Sequence, residues 1–156
     1  MKIRQAARKD CERIVKELWL PFIRYHSKLD KFSVLDKKVI KIFYNHLCNF
    51  VKDPNNVIFI AEEGPSIIGY IKATKTGRSP VYKIKVMGEI SDICVLSSHR
   101  KKHVGLQLVR KAEQWFKKKG LKFVWLKVHS RNKLGNFFWE KLGYDDYMVE
   151  KMKTLR

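Results

Sequence analysis

The stretch from Glu89 to Leu106 constrains the fold most, because a predicted strand in it runs through a basic loop straight into a predicted helix. The strand, Glu89 to Val95, follows Gly88 and is largely apolar. The helix ends at Gly120, and its apolar positions recur on one face: Val104, Leu108, Ala112 and Trp115. A strand that leads directly into an amphipathic helix is typical of a layered α/β domain.

The turn between this strand and this helix is a predicted anion site. The first N–H groups of a helix have no partner within it, and the positive end of the helix dipole adds to their attraction for negative charge. The loop carries Arg100, Lys101 and Lys102, and Gly105 lets a phosphate approach the backbone closely. These features fit a pyrophosphate group.

The first third of the chain predicts one short strand and two helices. Lys2 to Arg4 indicates the strand, and Asp10 is expected to cap the first helix. A polar gap from His26 to Asp30 separates the helices, and the second one stops before Asp53, which precedes a proline. The apolar faces comprise Cys11, Ile14 and Leu18 in the first helix and Val39, Ile42, Phe43 and Leu47 in the second.

The remaining segments predict more strands and a last helix. Two apolar runs flank the turn at residues 63–65 and indicate a hairpin. Further strands are expected at Val81 to Val86, Phe123 to Val128 and Tyr147 to Met152. The last helix ends at Gly143, and its predicted apolar face comprises Leu134, Phe137, Phe138 and Leu142.

This order of elements predicts a mixed α/β (α+β) fold. Strands precede, separate and follow helices, so we expect a largely antiparallel central sheet flanked by helices, with one strand–helix–strand crossover. The chain has 156 residues, a usual length for one domain, and no linker or repeat divides it. Residues 1–156 are therefore predicted to form a single domain.

Composition excludes several classes of protein. An apolar content of 45% is too high for a disordered chain, and three cysteines without paired spacing suggest neither a disulfide framework nor a zinc knuckle. No apolar signal segment or membrane-length run is present, so we expect a soluble, cytoplasmic protein without a membrane partner. The net charge of +19 would attract an acidic or nucleic-acid-associated partner, or is simply a lysine-rich solvated surface.

Two motifs, taken together, resemble the GNAT superfamily of N-acetyltransferases. Its loop pattern is Arg or Gln, two residues, Gly, one residue, then Gly or Ala, and Arg100, His103 and Gly105 occupy these positions, with His103 departing from the pattern. The stretch from Asn132 to Tyr144 resembles the later motif of the family in order and spacing, although Trp139 stands where the family often has a tyrosine that protonates the departing thiolate.

The resemblance implies acetyl-CoA as cosubstrate and an amine as acceptor, in a protein that is often a homodimer. By it, the crossover forms the CoA site, whose expected contacts are Ile93, Cys94, Val95, Arg100, Lys101, Lys102, His103, Val104, Gly105, Leu106, Asn132 and Trp139. The first helix and the loop after it would shape the acceptor pocket through Trp19, Tyr25 and His26, although Trp19 equally suits an ordinary helix core.

In this family the amine attacks the thioester directly and must first lose a proton. A lysine amine with a pKa near 10.4 is neutral in about one molecule in 2,500 at pH 7, so a general base helps it greatly. Glu89 lies six residues before Val95, the position of that base in members that acetylate histone lysines. A salt-bridged surface carboxylate is the alternative for Glu89, and Asp92, expected to face the other side of the strand, is the second choice of base.

Other interpretations remain for the same segment. Cys94 could be an acyl-carrying nucleophile or inert packing, and His99 and His103 with Cys94 would suggest a metal only if the segment were helical, so we expect no metal. A basic nucleic-acid-binding protein or a CoA-binding regulator on the same scaffold are the alternative functions.

Overall fold

The computed structural model describes residues 1–29 and 31–155; Asp30, in the predicted polar gap, and Arg156, at the end of the predicted domain, lie outside the described residues. One five-stranded sheet has the order β1-β2-β3-β4-β5. Its strands are β1 (Lys2–Gln5), β2 (Asn56–Glu63), β3 (Ser66–Gly77), β4 (Val86–Val95) and β5 (Val124–Leu126). The first three pairs are antiparallel and β4 pairs with β5 in parallel. The predicted mixed fold is thereby confirmed.

Helices cover both faces of this sheet. The first helical segment, residues 8–26, joins a 3-10 turn (Arg8–Asp10), α1 (Cys11–Arg13), a π-helix (Ile14–Trp19) and α2 (Leu20–His26). The others are α3 (Val39–Phe50), a 3-10 turn (Ser97–His99), α4 (Val104–Lys118) and α5 (Lys133–Lys141). Helix α4 makes the crossover between β4 and β5. No helix among residues 1–29 and 31–155 is long and apolar enough to cross a membrane.

Strand alternation divides the core into two clusters, one on each face. Ile71 and Ala73 of β3 pack with α4, whereas Tyr70 packs with the first helical segment and α3. The predicted apolar face of the first helix is confirmed, because Cys11, Ile14 and Leu18 are fully buried. The face that packs against α4 is called the α4 face below, and the opposite one the α3 face.

Two predictions about the helices near the N-terminus are wrong. Asp10 does not cap a helix that follows it, because the segment already begins at Arg8 and the Asp10 carboxylate accepts hydrogen bonds from the N–H of Ala7 (2.7 Å) and from Arg4 (2.7 and 2.9 Å). The Arg4 guanidinium, followed by the Ala7 N–H, holds the pKa of Asp10 below its usual value. In α3, Ile42 is 56% exposed, since the face that packs inward is centred on Leu47 and Phe43.

Two predicted strands are absent from the described residues. Residues 78–85 form the connection from β3 to β4, where the N–H of Arg78 donates to the carbonyl of Lys85 (2.8 Å) and Val81 is 81% exposed. Residues 147–152 form no strand either; Tyr147 and Glu150 make side-chain contacts with Arg78 and Lys127. The edge strand β5 has only three residues, so it offers few backbone groups with which a further strand could pair.

The last helix is rotated relative to its predicted face. Leu134 and Phe137 are exposed, and the inward positions are Gly135, Phe138, Trp139 and Leu142. A Cβ on Gly135 would lie 2.5 Å from Asn132 Nδ2 and 3.1 Å from Val128, so the glycine allows a close approach. The indole of Trp139 has the larger apolar area to bury.

The packing of β4 against α4 depends on Gly88. A Cβ there would lie 2.7 Å from the buried ring of Phe116. We expect Gly88→Ala to lower the free energy of unfolding by about 1–3 kcal/mol, because the ring has no free space to move into. Chemical denaturation measures this, with Gly77→Ala as the matched strand control, since nothing lies within 4 Å of a Cβ at Gly77. Equal stability of the two variants would contradict the packing described.

Candidate active site

The half of β4 that leads into α4 has an open backbone edge. Strand β5 pairs with β4 only at Gly88, Glu89 and Ile90. Residues 92–95 pair with β3 on one side, and no strand among the described residues pairs with them on the other. This edge leaves backbone N–H and C=O groups available to an extended ligand, as a strand edge generally does.

A β-bulge at Ser91 decides which side chains share a face. Asp92 lies opposite Lys72 and Ile90 opposite Ala73, so Ser91 is the extra residue. Beyond the bulge, Glu89 lies opposite Thr74, which is two residues from Lys72 on β3. Glu89 and Asp92 therefore lie on the same face, and the prediction that Asp92 faces away is wrong because alternation shifts by one residue at a bulge.

That shared face is the α3 face. Gly88 and Ile90 lie toward α4, so Glu89 between them projects to the opposite side, where its parallel neighbour on β5 is Trp125. Glu89 is half-buried. It also lies close enough to Lys127 to contribute, after Glu150, to the raised pKa of that ammonium group.

Asp92 is paired with a lysine in a nearly water-free setting. The Lys72 Nζ lies 3.7 Å from Asp92 Oδ2, and the two side chains are only 10% and 15% exposed. Burial raises the pKa of Asp92, and the nearby Lys72 only partly opposes this. Sequence reasoning missed Lys72, although a lysine inside an otherwise apolar strand is a signal for a buried ion pair.

The loop before α4 presents its backbone N–H groups outward. Lys101 and His103 both have φ of 60°, and His103 precedes the right-handed turn that begins at Val104. No described residue accepts a hydrogen bond from the N–H groups of residues 101–106. Successive N–H groups in alternating left- and right-handed conformations form a concavity that binds anions. His103 thus adopts the backbone conformation for which glycine is preferred.

Side chains around this loop have structural partners of their own. Arg100 Nε donates to the carbonyl of Val95 at 3.3 Å, and Val104 is buried. A Cβ on Gly105 would lie 3.2 Å from the ring of Phe138 on α5. The small size of Gly105 therefore serves helix packing, in addition to any approach by a phosphate. Lys101, Lys102 and Leu106 are exposed or half-buried.

The two predicted cofactor contacts near α5, Asn132 and Trp139, both make contacts within the protein. Asn132 caps α5, its Oδ1 accepting from the N–H of Gly135 at 3.0 Å. Trp139 is buried between Phe138 and Tyr144, with ring centroids 5.0 Å from each. The Tyr144 hydroxyl donates to Glu113 Oε1 at 3.0 Å, and burial, with the nearby Glu113, raises the pKa of Tyr144.

The three predicted acceptor residues separate into two groups. Trp19 is buried and stacks on Phe43 at 3.7 Å, as the packing alternative expects. Tyr25 and His26 contact each other edge to face at 5.4 Å, and burial and the neighbouring His129 lower the pKa of His26. The structure thus places Tyr25 and His26 beside the loop after β5, whereas Trp19 lies in the core.

Cys94 lies on the α3 face, and its Sγ contacts the carbonyl of Leu18 at 3.5 Å. Burial raises the pKa of the thiol to about 11, which disfavours the thiolate needed for nucleophilic attack. His99 contacts Glu63 (3.1 Å) and Ser98 (2.9 Å) instead of joining a metal cluster with Cys94. Among the described residues, no three His, Cys, Asp or Glu side chains are grouped to hold a metal ion.

Comparison with known proteins agrees with this architecture. The model of the acetyltransferase (GNAT) family matches residues 7–144, so the chain belongs to that family. An uncharacterized N-acetyltransferase of Methanocaldococcus jannaschii is 26% identical over 130 residues, which are 83% of this chain. The match spans 56% of the length of that curated relative.

Solved structures share the fold at low sequence identity. A tetramutant of a Bacillus halodurans protein has a TM-score of 0.82 at 18% identity and covers 99% of this chain and 100% of its own. An aminoglycoside 6'-N-acetyltransferase from Acinetobacter haemolyticus has a TM-score of 0.74 at 18% identity, covering 100% of both chains. A predicted acetyltransferase from Clostridium acetobutylicum, solved with acetyl-CoA, has a TM-score of 0.76 at 20% identity, covering 99% and 95%.

The backbone conformation of His103 yields a stability prediction. A β-branched side chain at φ of 60° is more strained than histidine, whereas glycine is unstrained but has more freedom to lose on folding. We expect His103→Val to lower the free energy of unfolding by about 1–2 kcal/mol and His103→Gly to change it by less than about 1 kcal/mol. Thermal and chemical denaturation of both variants measure this. A fully stable valine variant would contradict the left-handed conformation.

Proposed function

We propose that this protein is an N-acetyltransferase that moves an acetyl group from acetyl-CoA to a primary amine, on a protein N-terminus, a lysine or a small molecule. The observation that carries the proposal is the open edge of β4, which leads directly into the free N–H groups before α4 and has a carboxylate, Glu89, on the same strand. Family membership supports the same activity.

The residues present fit acetyl-CoA. The pantetheine arm carries amide groups, which suit the edge of Ile93, Cys94 and Val95 that faces away from β3. The pyrophosphate suits the N–H groups of residues 101–106, with Lys101 and Lys102 supplying positive charge. Asn132 contacts the cofactor arm from the start of α5. The side chain of Trp139 contributes indirectly, because its packing in the core holds α5 in place.

In the proposed reaction, the acceptor nitrogen attacks the thioester carbonyl carbon. A C–N bond forms, the C–S bond breaks, the acetyl group moves to nitrogen, and the sulfur leaves as the CoA thiolate. The amine proton goes to Glu89, directly or through one water molecule. Glu89 is half-buried and has Lys127 nearby, and a carboxylate on the open strand is a side chain that can accept this proton.

Protonation of the thiolate needs no dedicated tyrosine. The indole of Trp139 is not an acid in this range, and the hydroxyl of Tyr144 already donates to Glu113. A thiol has a pKa near 8.5, so the thiolate is about 2 kcal/mol less stable than the thiol at pH 7 and can be protonated by solvent. We therefore assign no general acid to the chain.

We also propose that residues 1–156 act as one cytoplasmic domain. The family match spans residues 7–144, and helices cover both faces of one sheet. Cys11, Cys48 and Cys94 are free, which suits a reducing compartment.

The test of the general base is CoA release from acetyl-CoA with a panel of amines. We expect Glu89→Gln to lower kcat at pH 7 by at least about 100-fold for alkylamine acceptors, because these are protonated at that pH. The acetyl-CoA dissociation constant, measured by calorimetry, should stay within about twofold, since Glu89 is not among the groups assigned to the cosubstrate.

Glu140→Gln is the matched control, because Glu140 is an exposed carboxylate on α5. It should leave both constants unchanged. Full activity of Glu89→Gln with wild-type binding would show that Glu89 is not the base, whereas absence of acetyl-CoA binding in the wild type would contradict the proposed function.

A further inference from the structure

We propose that Lys72 is a built-in counter-cation that sets acceptor specificity: by neutralising Asp92 beside the reacting position, it selects amines on neutral or acidic molecules and rejects polycationic amines. This inference rests on the proposed acetyltransferase function and names the class of substrate. It follows from the buried ion pair on the α3 face and from its position relative to Glu89.

The Lys72 ammonium group is held in place by more than Asp92. Its Nζ lies 4.7 Å from the ring centroid of Phe50 and 5.9 Å from that of Phe43, so two aromatic faces of α3 contact the cation. The charge is also close enough to His46 to lower the pKa of that imidazole, after burial. An ammonium group fixed in this way stays in position when an acceptor binds nearby.

The Lys72 and Asp92 pair lies near the proposed base, Glu89, along the direction of β3 and β4. Lys72 is opposite Asp92 and Thr74 is opposite Glu89, so the backbone positions that carry the two carboxylates are two residues of β3 apart, about 7 Å along the strand. That spacing is close to the separation of the two nitrogens in a short diamine. A diamine whose first amine lies at Glu89 would therefore bring its second ammonium group to Asp92.

Lys72 makes that arrangement unfavourable. The second ammonium group would meet a carboxylate that is already paired and a fixed cation of the same charge. Because Lys72 and Asp92 are nearly buried, salt screens this repulsion far less than it screens the charges on the surface. An acceptor with a carboxylate at the same distance carries no second ammonium group for Lys72 to repel.

The surroundings of the site act in the same direction. Lys127 lies beside Glu89 and over the ring of Trp125 (5.9 Å), and Arg131 donates to the carbonyl of Leu29 at 3.0 Å on the neighbouring loop. The whole chain carries a net charge of +19. Such a field raises the local concentration of anionic molecules and lowers that of polycations.

The phenol of Tyr70 lies next to the ion pair on the same face. The Tyr70 hydroxyl is buried, and no described residue makes a hydrogen bond with it. Tyr70 lies opposite Cys94, next to the Lys72 and Asp92 pair in register, and Asp92 contributes to the raised pKa of its phenol. A buried hydroxyl normally has a partner, and a water molecule or a polar acceptor atom would supply one.

Three acceptors with four carbon atoms each test the inference. They are 1-aminobutane, 1,4-diaminobutane and 4-aminobutanoate, which differ only in the group at the far end. For the wild type we expect kcat/KM for the diamine to be at least about tenfold below that for 4-aminobutanoate, with 1-aminobutane between them. The ratio of two kcat/KM values is independent of the fraction of enzyme that is folded.

Substitutions at the ion pair distinguish an effect of charge on acceptor choice from an effect on folding. Lys72→Met should raise the ratio of diamine to monoamine kcat/KM by about tenfold, because it frees the Asp92 carboxylate for the second ammonium group. It also leaves a buried charge unpaired and lowers stability. The double variant Lys72→Met with Asp92→Asn removes both charges and should fold, but it should not show the gain for the diamine.

Lys2→Met on β1, at the opposite edge of the sheet, removes the same charge far from the site and should leave the acceptor ratios unchanged. An unchanged ratio in Lys72→Met, or an equal gain in the double variant, would overturn the inference. If the wild type released no CoA with any acceptor, the proposed function would fail instead. In that case the dissociation constants of the acceptors, measured by calorimetry in the presence of CoA, would have to show the same change in the preference for diamine over monoamine in Lys72→Met.

Discussion

The pairing of β3 with β4, including its bulge at Ser91, is the constraint on which the rest of the site depends. One extra residue in β4 brings Asp92 onto the face of Glu89 and opposite Lys72. Just before that bulge β5 stops pairing with β4, and residues 92–95 keep a free edge. A bulge both re-aims side chains and ends regular pairing, so the polar face and the open edge have one local cause.

Packing behind β4 converts that edge into a binding surface. Gly88 lies against Phe116 of α4, and Gly105 lies against Phe138 of α5, so α4 approaches both the sheet and the last helix closely. Its N-terminus is thereby fixed beside Val95, with the left-handed residue His103 directing the preceding N–H groups outward. The strand edge suits an extended amide chain and the loop suits a pyrophosphate, which together match the two halves of acetyl-CoA.

Much of this architecture is predictable from the sequence, because the signals are local. The helical spacing of Val104, Leu108 and Ala112 and the strand before them specify the crossover, and all three residues are buried. The face of Asp92 is not predictable, since a bulge depends on the register with another strand and leaves no mark in β4 itself. The Lys72 ion pair is formed between strands by the β3–β4 register. The exposed apolar residues at 81–85 and 147–152 have a strand-like pattern but pair with no strand among the described residues.

The most direct test of the central claim is a map of backbone amide chemical shifts by heteronuclear NMR as acetyl-CoA is added to the wild-type protein. The account predicts saturable shifts concentrated at residues 93–95 and 101–106, with little change in the groove between the first helical segment and α3, which Lys16, Lys37, Lys41 and Tyr44 line. Shifts confined to that groove, or none at either place, would contradict the assignment of this site to acetyl-CoA.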